Sequence, residues 1–474
     1  MKKEFNTSFS SKRFRNGAYS SAVTVIVLIV LLFINLVAGR LDLKVDVSTS
    51  GYFTMSETTG DFLEDLDEDI VIYYLSTEAQ IDTMVKDMID KYDSASKHIT
   101  VEMKDFELYP NFVYQYVDEG TSVYYNSVIV ENVATGRSRY IGYYDMVLYK
   151  YNNNYQPYLT GYDVEGQITS AIQYVTTDEL PKVYATTGHG ELYPTGYAAE
   201  YLTKQNIQME TLETLTMEAV PADCEALMIF GATQDFTEQE TAKILEYMEN
   251  GGNVIVYMDY VEANLNNLMG LLAHYGVGVE PGIVLETDAA HMINNIPYYV
   301  VPDIINHEIT EGGKAYAGTY MPQGLTIDAD IRGSVERSGL LKTSDNAFSK
   351  TNMEEATFSM GDEDIAGPFY LGVVAVEEFK EVESKLIVYS GTAMIDDNFM
   401  GVSSLANANL FTDTINWVVD REETVLSIPT KEYTQSYLTL TSADVNTLTI
   451  ILVIVLPVAI LACGGVVWFK RRKK

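Results

Sequence analysis

The chain has 474 residues, 47% of them hydrophobic, and its 67 acidic and 31 basic residues give a net charge of −36. So acidic a surface repels nucleic acid and anionic lipid headgroups, which excludes both as partners of the large folded part. Only Cys224 and Cys463 are present, so no intrachain disulfide is expected and stability must come from a large packed core.

Two uncharged apolar segments, residues 18–39 and 448–469, are each long enough to cross a bilayer as a helix. Basic residues cluster in the flanking tails, 1–17 and 470–474, and positive tails stay in the cytoplasm. The pattern predicts a two-pass protein of the cell membrane, with both termini cytoplasmic and the large acidic part outside. A cleaved signal peptide is the alternative for the first segment, but its apolar run is longer than usual and lacks an A-x-A site.

Residues 43–179 show strand and helix signals in the order β-α-β-α-β-β-α. The run IVIYYL (70–75) is typical of a buried strand, and the apolar residues from Ile81 to Tyr92 recur with helical spacing. Two alternating runs at 127–132 and 138–143 predict a hairpin. This order predicts a thioredoxin-like domain, but no cysteine precedes Cys224, so disulfide exchange is excluded.

Residues 180–426 are predicted to form a second α/β domain. Apolar strand signals alternate with helix signals, which indicates a doubly wound parallel sheet. The predicted strands are KVYAT (182–186), ALMIF (226–230), VIVYM (254–258) and KLIVY (385–389). The stretch 262–383 breaks this rhythm and is interpreted as an insertion of extra strands and loops. Residues 427–447 are interpreted as a tether to the second apolar segment.

Polar residues follow the ends of these predicted parallel strands, where ligands bind in doubly wound sheets. The candidate ligand- or partner-binding residues are His189, Glu191, Gln234, Asp259 and Asp396, the last with Asp397 beside it.

Three interpretations of the turn Gly188-His189-Gly190-Glu191 stay open. It is a tight strand-to-helix turn stabilised by local hydrogen bonds, a ligand-binding crevice, or a metal or hydrolytic centre. One histidine beside scattered carboxylates is a weak metal signature, so neither a metal nor another cofactor is expected.

Nucleophilic and nucleotide chemistry have no support in the sequence. Cys224 precedes its predicted strand, at the opposite end from a nucleophile on a strand-to-helix turn, so it is expected to be a structural residue. The chain also has no G-x-x-x-x-G-K-[ST] phosphate loop, so ATP binding is not expected.

Several segments together resemble a known family. They are SGYFTMSETTGDFLEDLDEDIVIYYLS (50–76), KVYATTGHGE (182–191), VPADCEALMIFGATQDFTEQETAKILEYMENGGNVIVYMD (220–259), KLIVYSGTAMIDDNFM (385–400) and NANLFTDTINWVVD (407–420). The chain is similar to the extracytoplasmic auxiliary subunits of ABC transporters, in the GldG-like family associated with gliding motility. The resemblance implies partner permease and ATPase subunits and, for the second domain, a fold like class I glutamine amidotransferases.

Three functional hypotheses follow. The first is a non-enzymatic, membrane-anchored auxiliary subunit of an ABC transporter that recognises a ligand or partner at the cell envelope. The second is an envelope hydrolase or amidase that uses a crevice at His189 and Glu191. The third is a purely structural scaffold of the envelope.

Overall fold

The computed structural model describes residues 19, 21–30, 32–33, 54–117, 120–151, 156–177, 180–311, 316–328, 331–353, 357–379, 382–402, 404–419, 428, 430–432, 457, 464 and 468. The chain divides into two compact units. The larger one comprises residues 55–149 and 162–430, and the smaller one comprises residues 1–54, 150–161 and 431–474.

The first part of the larger unit is a small α/β arrangement. Its elements are α1 (Glu57–Glu64), β1 (Ile70–Leu75), α2 (Thr83–Ala95), β2 (Ile99–Lys104), α3 (Pro110–Val113), β3 (Ser127–Asn132), β4 (Ser138–Ile141), β5 (Val147–Tyr151) and α4 (Val164–Thr176), and the strand β6 (Pro157–Tyr162) precedes α4 in the chain. One sheet has the order β2-β1-β3-β4. In it β1 runs parallel to β2 and antiparallel to β3.

Helix α2 forms because Asp82 caps its N-terminus and one of its faces is apolar. The Asp82 side chain accepts a hydrogen bond from the Met84 N–H, which would otherwise lack a partner in the first turn. Val85, Met88 and Tyr92 are buried on the inner face together with Ile89. This is the face that the helical spacing predicts.

The second part of the larger unit contains most of the strands. Its elements are β7 (Lys182–Thr187), α5 (Tyr197–Lys204), β8 (Gln208–Glu213), β9 (Cys224–Phe230), α6 (Glu238–Glu249), β10 (Asn253–Met258), α7 (Asn266–His274), β11 (Val277–Val279), β12 (Ile283–Leu285), β13 (Tyr299–Val300), β14 (Asp303–Ile304), β15 (Thr319–Tyr320), β16 (Leu325–Ile327), β17 (Val335–Lys342), β18 (Phe348–Lys350), β19 (Ile365–Ala366), β20 (Tyr370–Phe379), β21 (Val382–Ser390), α8 (Asp397–Met400) and α9 (Asn407–Val418).

The main sheet has ten strands, with the continuous order β11-β16-β20-β21-β10-β9-β7-β8. The five strands β21, β10, β9, β7 and β8 are parallel to one another. Helices cover both faces of the sheet. Successive side chains of a strand point to opposite faces, so those of β10 lie in two different cores. Ile255 packs in the core that contains Leu202 of α5 and Phe411 of α9. Val256 packs on the other face, with Ile244 of α6 and residues of α7.

The stretch 262–383, interpreted from the sequence as an insertion of extra strands and loops, contributes strands to the main sheet. β17 and β20 belong to the main sheet, and β20 pairs antiparallel with β21 over most of its length. The sheet is therefore mixed rather than wholly parallel. Leu371, Val373 and Ala375 are buried like the residues of a parallel central strand, so the apolar pattern alone does not reveal the strand direction.

The two parts of the larger unit are joined by buried polar contacts. The Lys204 ammonium lies 2.7 Å from a carboxylate oxygen of Asp163, and both side chains are largely buried. Asn206 donates to the Ser170 carbonyl and accepts from Arg139. Because these contacts connect α4 with the end of α5, the two parts form one compact body.

The smaller unit includes most of β6 and the strand β22 (Lys431–Glu432), which are neighbours in one sheet. Part of the predicted membrane segment 18–39 and most of the segment 448–469 lie outside the described residues, as do both tails and most of the tether. Within the part that is described, no helix has both the length and the apolar character needed to cross a membrane.

Candidate functional site

His189 lies in the turn after β7, at the carboxyl end of the parallel strands. The turn brings two loops into close contact, since the His189 carbonyl accepts hydrogen bonds from the backbone N–H groups of Thr233 and Gln234 at 2.9 and 3.0 Å. Gly190 has φ +77°, and a Cβ atom there would lie 2.1 Å from the Thr233 hydroxyl. Glycine is therefore required at this position for both conformational and steric reasons.

Both ring nitrogens of His189 face polar side chains of the protein. Nδ1 lies 3.2 Å from the Thr214 hydroxyl oxygen and 3.6 Å from Glu191 Oε1. Nε2 lies 3.4 Å from Glu240 Oε2. The ring also stacks on Phe236, with centroids 4.1 Å apart and planes 16° apart. We call His189, Glu191, Thr214, Phe236 and Glu240 the His189 cluster.

The two carboxylates of this cluster are almost completely buried, with the Glu191 side chain 1% and the Glu240 side chain 4% exposed. Glu191 Oε2 accepts a 2.6 Å hydrogen bond from the His189 backbone N–H. Glu240 Oε2 accepts hydrogen bonds from the Thr237 backbone N–H and hydroxyl at the start of α6. The imidazole between the two buried carboxylates offsets part of the cost of removing their charges from water.

The arrangement of the His189 cluster does not suit a metal ion. Glu191 lies at Nδ1 and Glu240 at Nε2, so the two carboxylates are on opposite sides of the ring and cannot bind one ion together with the same nitrogen. Throughout the described ranges, no group of three or more His, Cys, Asp or Glu side chains is placed to hold a metal. The geometry instead suits a buried ion-paired turn.

The other predicted residues lie in different surroundings. Gln234 follows β9, and its exposed side chain does not enter the His189 cluster. Asp259 accepts hydrogen bonds from the backbone N–H and hydroxyl of Thr392, which joins the loops after β10 and β21. Asp396 caps α8 by accepting from the Asn398 N–H at 2.8 Å. Asp397 accepts from the Tyr197 N–H at the start of α5, also at 2.8 Å.

His189 and Glu191 are thus brought together, whereas Asp259 and Asp396 each stabilise a separate loop. The sequence reasoning missed Thr214, Phe236 and Glu240 as neighbours of His189. The sequence does predict another role for Glu240, as the partner of Thr237 in a helix capping box. The structure contains this capping box at the start of α6. The contact of Glu240 with His189, about fifty residues earlier, cannot be predicted from neighbouring residues in the sequence.

Glu240 makes the stability of the cluster depend on pH. Burial raises its pKa, but hydrogen bonds from Thr237 and Thr214 and the charge of His189 outweigh burial and bring the pKa below its usual 4.5. A carboxyl whose pKa is lower in the folded state stabilises the fold above its unfolded pKa, and this contribution is lost as the pH falls through the folded-state pKa. We expect Glu240→Gln to flatten the acid side of the stability profile below about pH 4.5. Denaturant midpoints measured from neutral to acid pH test this, and an unchanged acid slope would contradict it.

Cys224 is the first residue of β9, is buried and is a free thiol. This confirms the prediction of a buried residue near the start of a strand. Burial raises the pKa of the thiol to about 11, although the hydroxyl of Tyr247 acts in the opposite direction. Such a thiol is almost entirely protonated at neutral pH, and the thiolate is the reactive form.

We therefore expect Cys224 in a Cys463→Ser background to react with an aromatic disulfide reagent at least about 100-fold more slowly in the native than in the unfolded protein. Cys224→Ala is expected to fold to the normal level. Fast native labelling at neutral pH would show that the thiol is accessible and activated.

A shallow pocket beside α3 is lined by none of these residues. It has a volume of about 130 Å³ and is lined by Phe106, Pro110, Val113, Tyr114, Thr121 and Val123, around α3. The predicted crevice at the carboxyl ends of the parallel strands does not correspond to it.

Residues 180–415 match the family described as ABC-type uncharacterized transport system. Residues 49–143 match a domain of unknown function, DUF7088. Among the curated proteins, none matches the chain significantly.

Several solved structures are distantly similar. The N-terminal domain of mmIFT52 is 14% identical, with 51% of this chain and 98% of that chain covered and a TM-score of 0.38. A putative GMP synthase component from Thermoplasma acidophilum is 8% identical, with 52% and 96% covered and a TM-score of 0.28. A putative ThuA-like protein from Parabacteroides merdae is 10% identical, with 51% and 90% covered and a TM-score of 0.27.

Proposed function

Residues 180–415 belong to the family described as ABC-type uncharacterized transport system, and from this we propose that the chain is an accessory subunit of an ABC transporter. We propose further that it is anchored in the cell membrane, that its acidic part lies outside the cytoplasm, and that it recognises a ligand or partner without catalysing a reaction. The family match is the observation that carries this proposal.

The apolar segments support the anchoring part of the proposal. Residues 21–30 are helical, and the side chains of Ile26, Leu28 and Ile29 are each more than half exposed. A helix that is apolar on all its faces is suited to a lipid or protein environment rather than to water. The basic residues outside each segment support an inside location of both tails.

The enclosure of the His189 cluster argues against bond cleavage at this site. A general acid or base must come within hydrogen-bond reach of its substrate. Both nitrogens of His189 instead face side chains of the protein, and Phe236 covers one face of the ring. A hydrolase that used His189 and Glu191 would first have to open a buried cluster.

We also propose the finer fold assignments. The order β2-β1-β3-β4, with β1 and β2 parallel, supports a thioredoxin-like arrangement without the redox cysteines. The five parallel strands covered by helices on both faces support a relationship of the second part to class I glutamine amidotransferases.

The direct test is purification of the tagged full chain from membranes in a mild detergent, followed by mass spectrometry of the associated proteins. We expect one permease and one ATPase subunit of an ABC transporter to be enriched over a preparation from untagged cells. A chain that purifies at normal yield without either subunit, both under native conditions and after in-cell crosslinking, would contradict the accessory role.

Topology provides a separate prediction. In a background without native cysteines, Asp362→Cys should be labelled by an impermeant maleimide in intact cells, because Asp362 is exposed in the part predicted to be outside. Lys473→Cys should be labelled only after the cells are opened. The reverse pattern, or labelling of Lys473→Cys in intact cells, would contradict the proposed orientation.

A further inference from the structure

The helix in the first apolar segment exposes apolar side chains on every face. Residues 21–30, 32 and 33 are helical, and all of them are exposed. The four residues from Val25 to Leu28 make a full helical turn, and each of their side chains is at least half exposed. A helix that is apolar all round is stable only in lipid or against apolar protein. Any protein segment that packs against this helix must therefore be apolar too.

The two stretches of chain that connect to the apolar segments meet within the smaller unit. The ammonium of Lys431 donates a hydrogen bond to the carbonyl of Thr54, 377 residues away in the sequence. Lys431 also begins β22, which is a neighbour of β6 in one sheet. Residues 1–54 and 431–474 belong to the same compact unit. The connections to the first and the second apolar segment therefore start side by side.

The two connections are short and similar in length. Residues 40–53 separate the first apolar segment from Thr54, and residues 433–447 separate β22 from the second. A flexible chain of about 15 residues has an r.m.s. end-to-end distance of about 20 Å, so the outer ends of the two segments are expected within about 30 Å of each other. Short connections of this kind give an effective concentration in the millimolar range, which favours pairing within one chain over pairing between chains.

The sequences of the two segments match when they are placed side by side. With both tails cytoplasmic the segments run in opposite directions, and with their outer ends level Ala22 lies opposite Gly465. Small residues of both segments fall at this cytoplasmic end: Ser20, Ser21 and Ala22 in the first, and Ala462, Cys463, Gly464 and Gly465 in the second. Small residues let two membrane helices approach closely. They indicate no contact by themselves, but here the chain ends that carry them are joined at Thr54 and Lys431.

We propose that segments 18–39 and 448–469 pack against each other in the membrane as an antiparallel helix pair, with their closest contact at the cytoplasmic end. This inference rests on the proposed membrane anchoring and deepens it. The chain would then present one two-helix surface to a transporter permease instead of two separate anchors. The other candidates for the neighbour of the first segment are a second copy of this chain, the permease itself and lipid, and the test below separates them from pairing within the chain.

The test uses Cys463, which lies near the cytoplasmic end of the second segment. In the full chain with Cys224→Ala, one cysteine at a time replaces a residue of the turn 22–25, and isolated membranes are oxidised with copper phenanthroline. A disulfide requires Cα atoms about 4.4–6.8 Å apart, so only the one or two positions that face the second segment should form it rapidly. A maleimide-polyethylene glycol added to the denatured, unreduced chain then counts free thiols. A chain with an internal disulfide takes up none, and an unlinked chain takes up two.

Leu36→Cys is the matched control, because Leu36 belongs to the same apolar segment but lies about 18 Å nearer its outer end than residue 24. The facing positions should form the internal disulfide at least about tenfold faster than Leu36→Cys. Disulfides that form only between two chains would make a second copy the neighbour. No disulfide at any of the four positions would leave the first segment to lipid or to the permease. Either result overturns the proposal.

Failure of the pairing and failure of the anchoring give different results. A chain that leaves the membrane fraction in alkaline carbonate, or whose Lys473→Cys variant is labelled in intact cells, contradicts the proposed anchoring or orientation itself. If the chain stays in the membrane with the proposed topology and no internal disulfide forms, only the helix pair is wrong. Co-purification of transporter subunits is a separate measurement, and its outcome does not depend on the disulfide.

Discussion

His189→Ala is expected to destabilise the protein by about 3–5 kcal/mol, the range observed when one partner of a buried ion pair is removed. The substitution would leave the buried carboxylates of Glu191 and Glu240 without the group that lies between them. Glu191 Oε1, the oxygen that faces the imidazole, and Glu240 Oε1 have no hydrogen-bond partner within the described part of the chain, and alanine would supply none. The stacking of His189 on Phe236 would also be lost.

The measurement is the midpoint of chemical denaturation, followed by far-UV circular dichroism at neutral pH. His98→Ala is the control, because His98 is also close to a carboxylate, Asp69, but at an exposed position. His98→Ala is expected to change the free energy of unfolding by no more than about 1 kcal/mol. If His189→Ala is as stable as the natural chain, the cluster does not stabilise the turn, and His189 becomes available for a direct role in recognition.

Asn407→Ala is expected to have the second large effect, a loss of roughly 2–5 kcal/mol. The Asn407 side chain is buried in α9 and makes three hydrogen bonds to backbone groups. Its amide nitrogen donates to the carbonyls of Gly318 and Met394, and its oxygen accepts from the Gly318 N–H. Alanine would leave these buried groups unpaired, at about 1–3 kcal/mol for each group that water cannot reach.

Asn409→Ala is the matched control, since Asn409 is an exposed asparagine on the same helix and should change stability by less than about 0.5 kcal/mol. Denaturation midpoints of the two variants give the comparison. Because Gly318 directly precedes β15, Asn407→Ala should also loosen that strand. Equal stability of the two variants would show that the Gly318 segment is held by other contacts.

The predicted site illustrates how far strand ends can be inferred from a sequence. His189, Asp259 and Asp396 do lie after parallel strands of the main sheet, as the apolar runs before them indicate. The sequence does not reveal that Asp259 is bound to Thr392, that Asp396 caps α8, or that His189 is enclosed. The contacts of Asp259 and His189 join residues far apart in the chain, and the spacing of residues contains no information about them.

The contacts among the rings of Tyr298, Tyr299, Tyr320 and Phe358 could not be predicted from the sequence either. Tyr298 and Tyr299 stand out as a pair in the sequence, but paired tyrosines are common in exposed strands and do not identify a surface. Tyr320 and Phe358 join them only because β13 pairs with β15 and the segment around Phe358 folds back onto that hairpin.

The sequence by itself determined the local elements. Apolar runs predicted β1, β9, β10 and the end of β21, helical spacing predicted the buried face of α2, and a capping box predicted the start of α6. These features depend on neighbouring residues, because burial of one face and capping of one end act within a few turns of chain. Only the tertiary structure decided that β20 runs antiparallel in the same sheet, that His189 is sealed between two carboxylates, and that four rings share one surface. Those outcomes depend on which distant segments pack together, and strand direction and long-range pairing leave the local pattern of apolar residues unchanged.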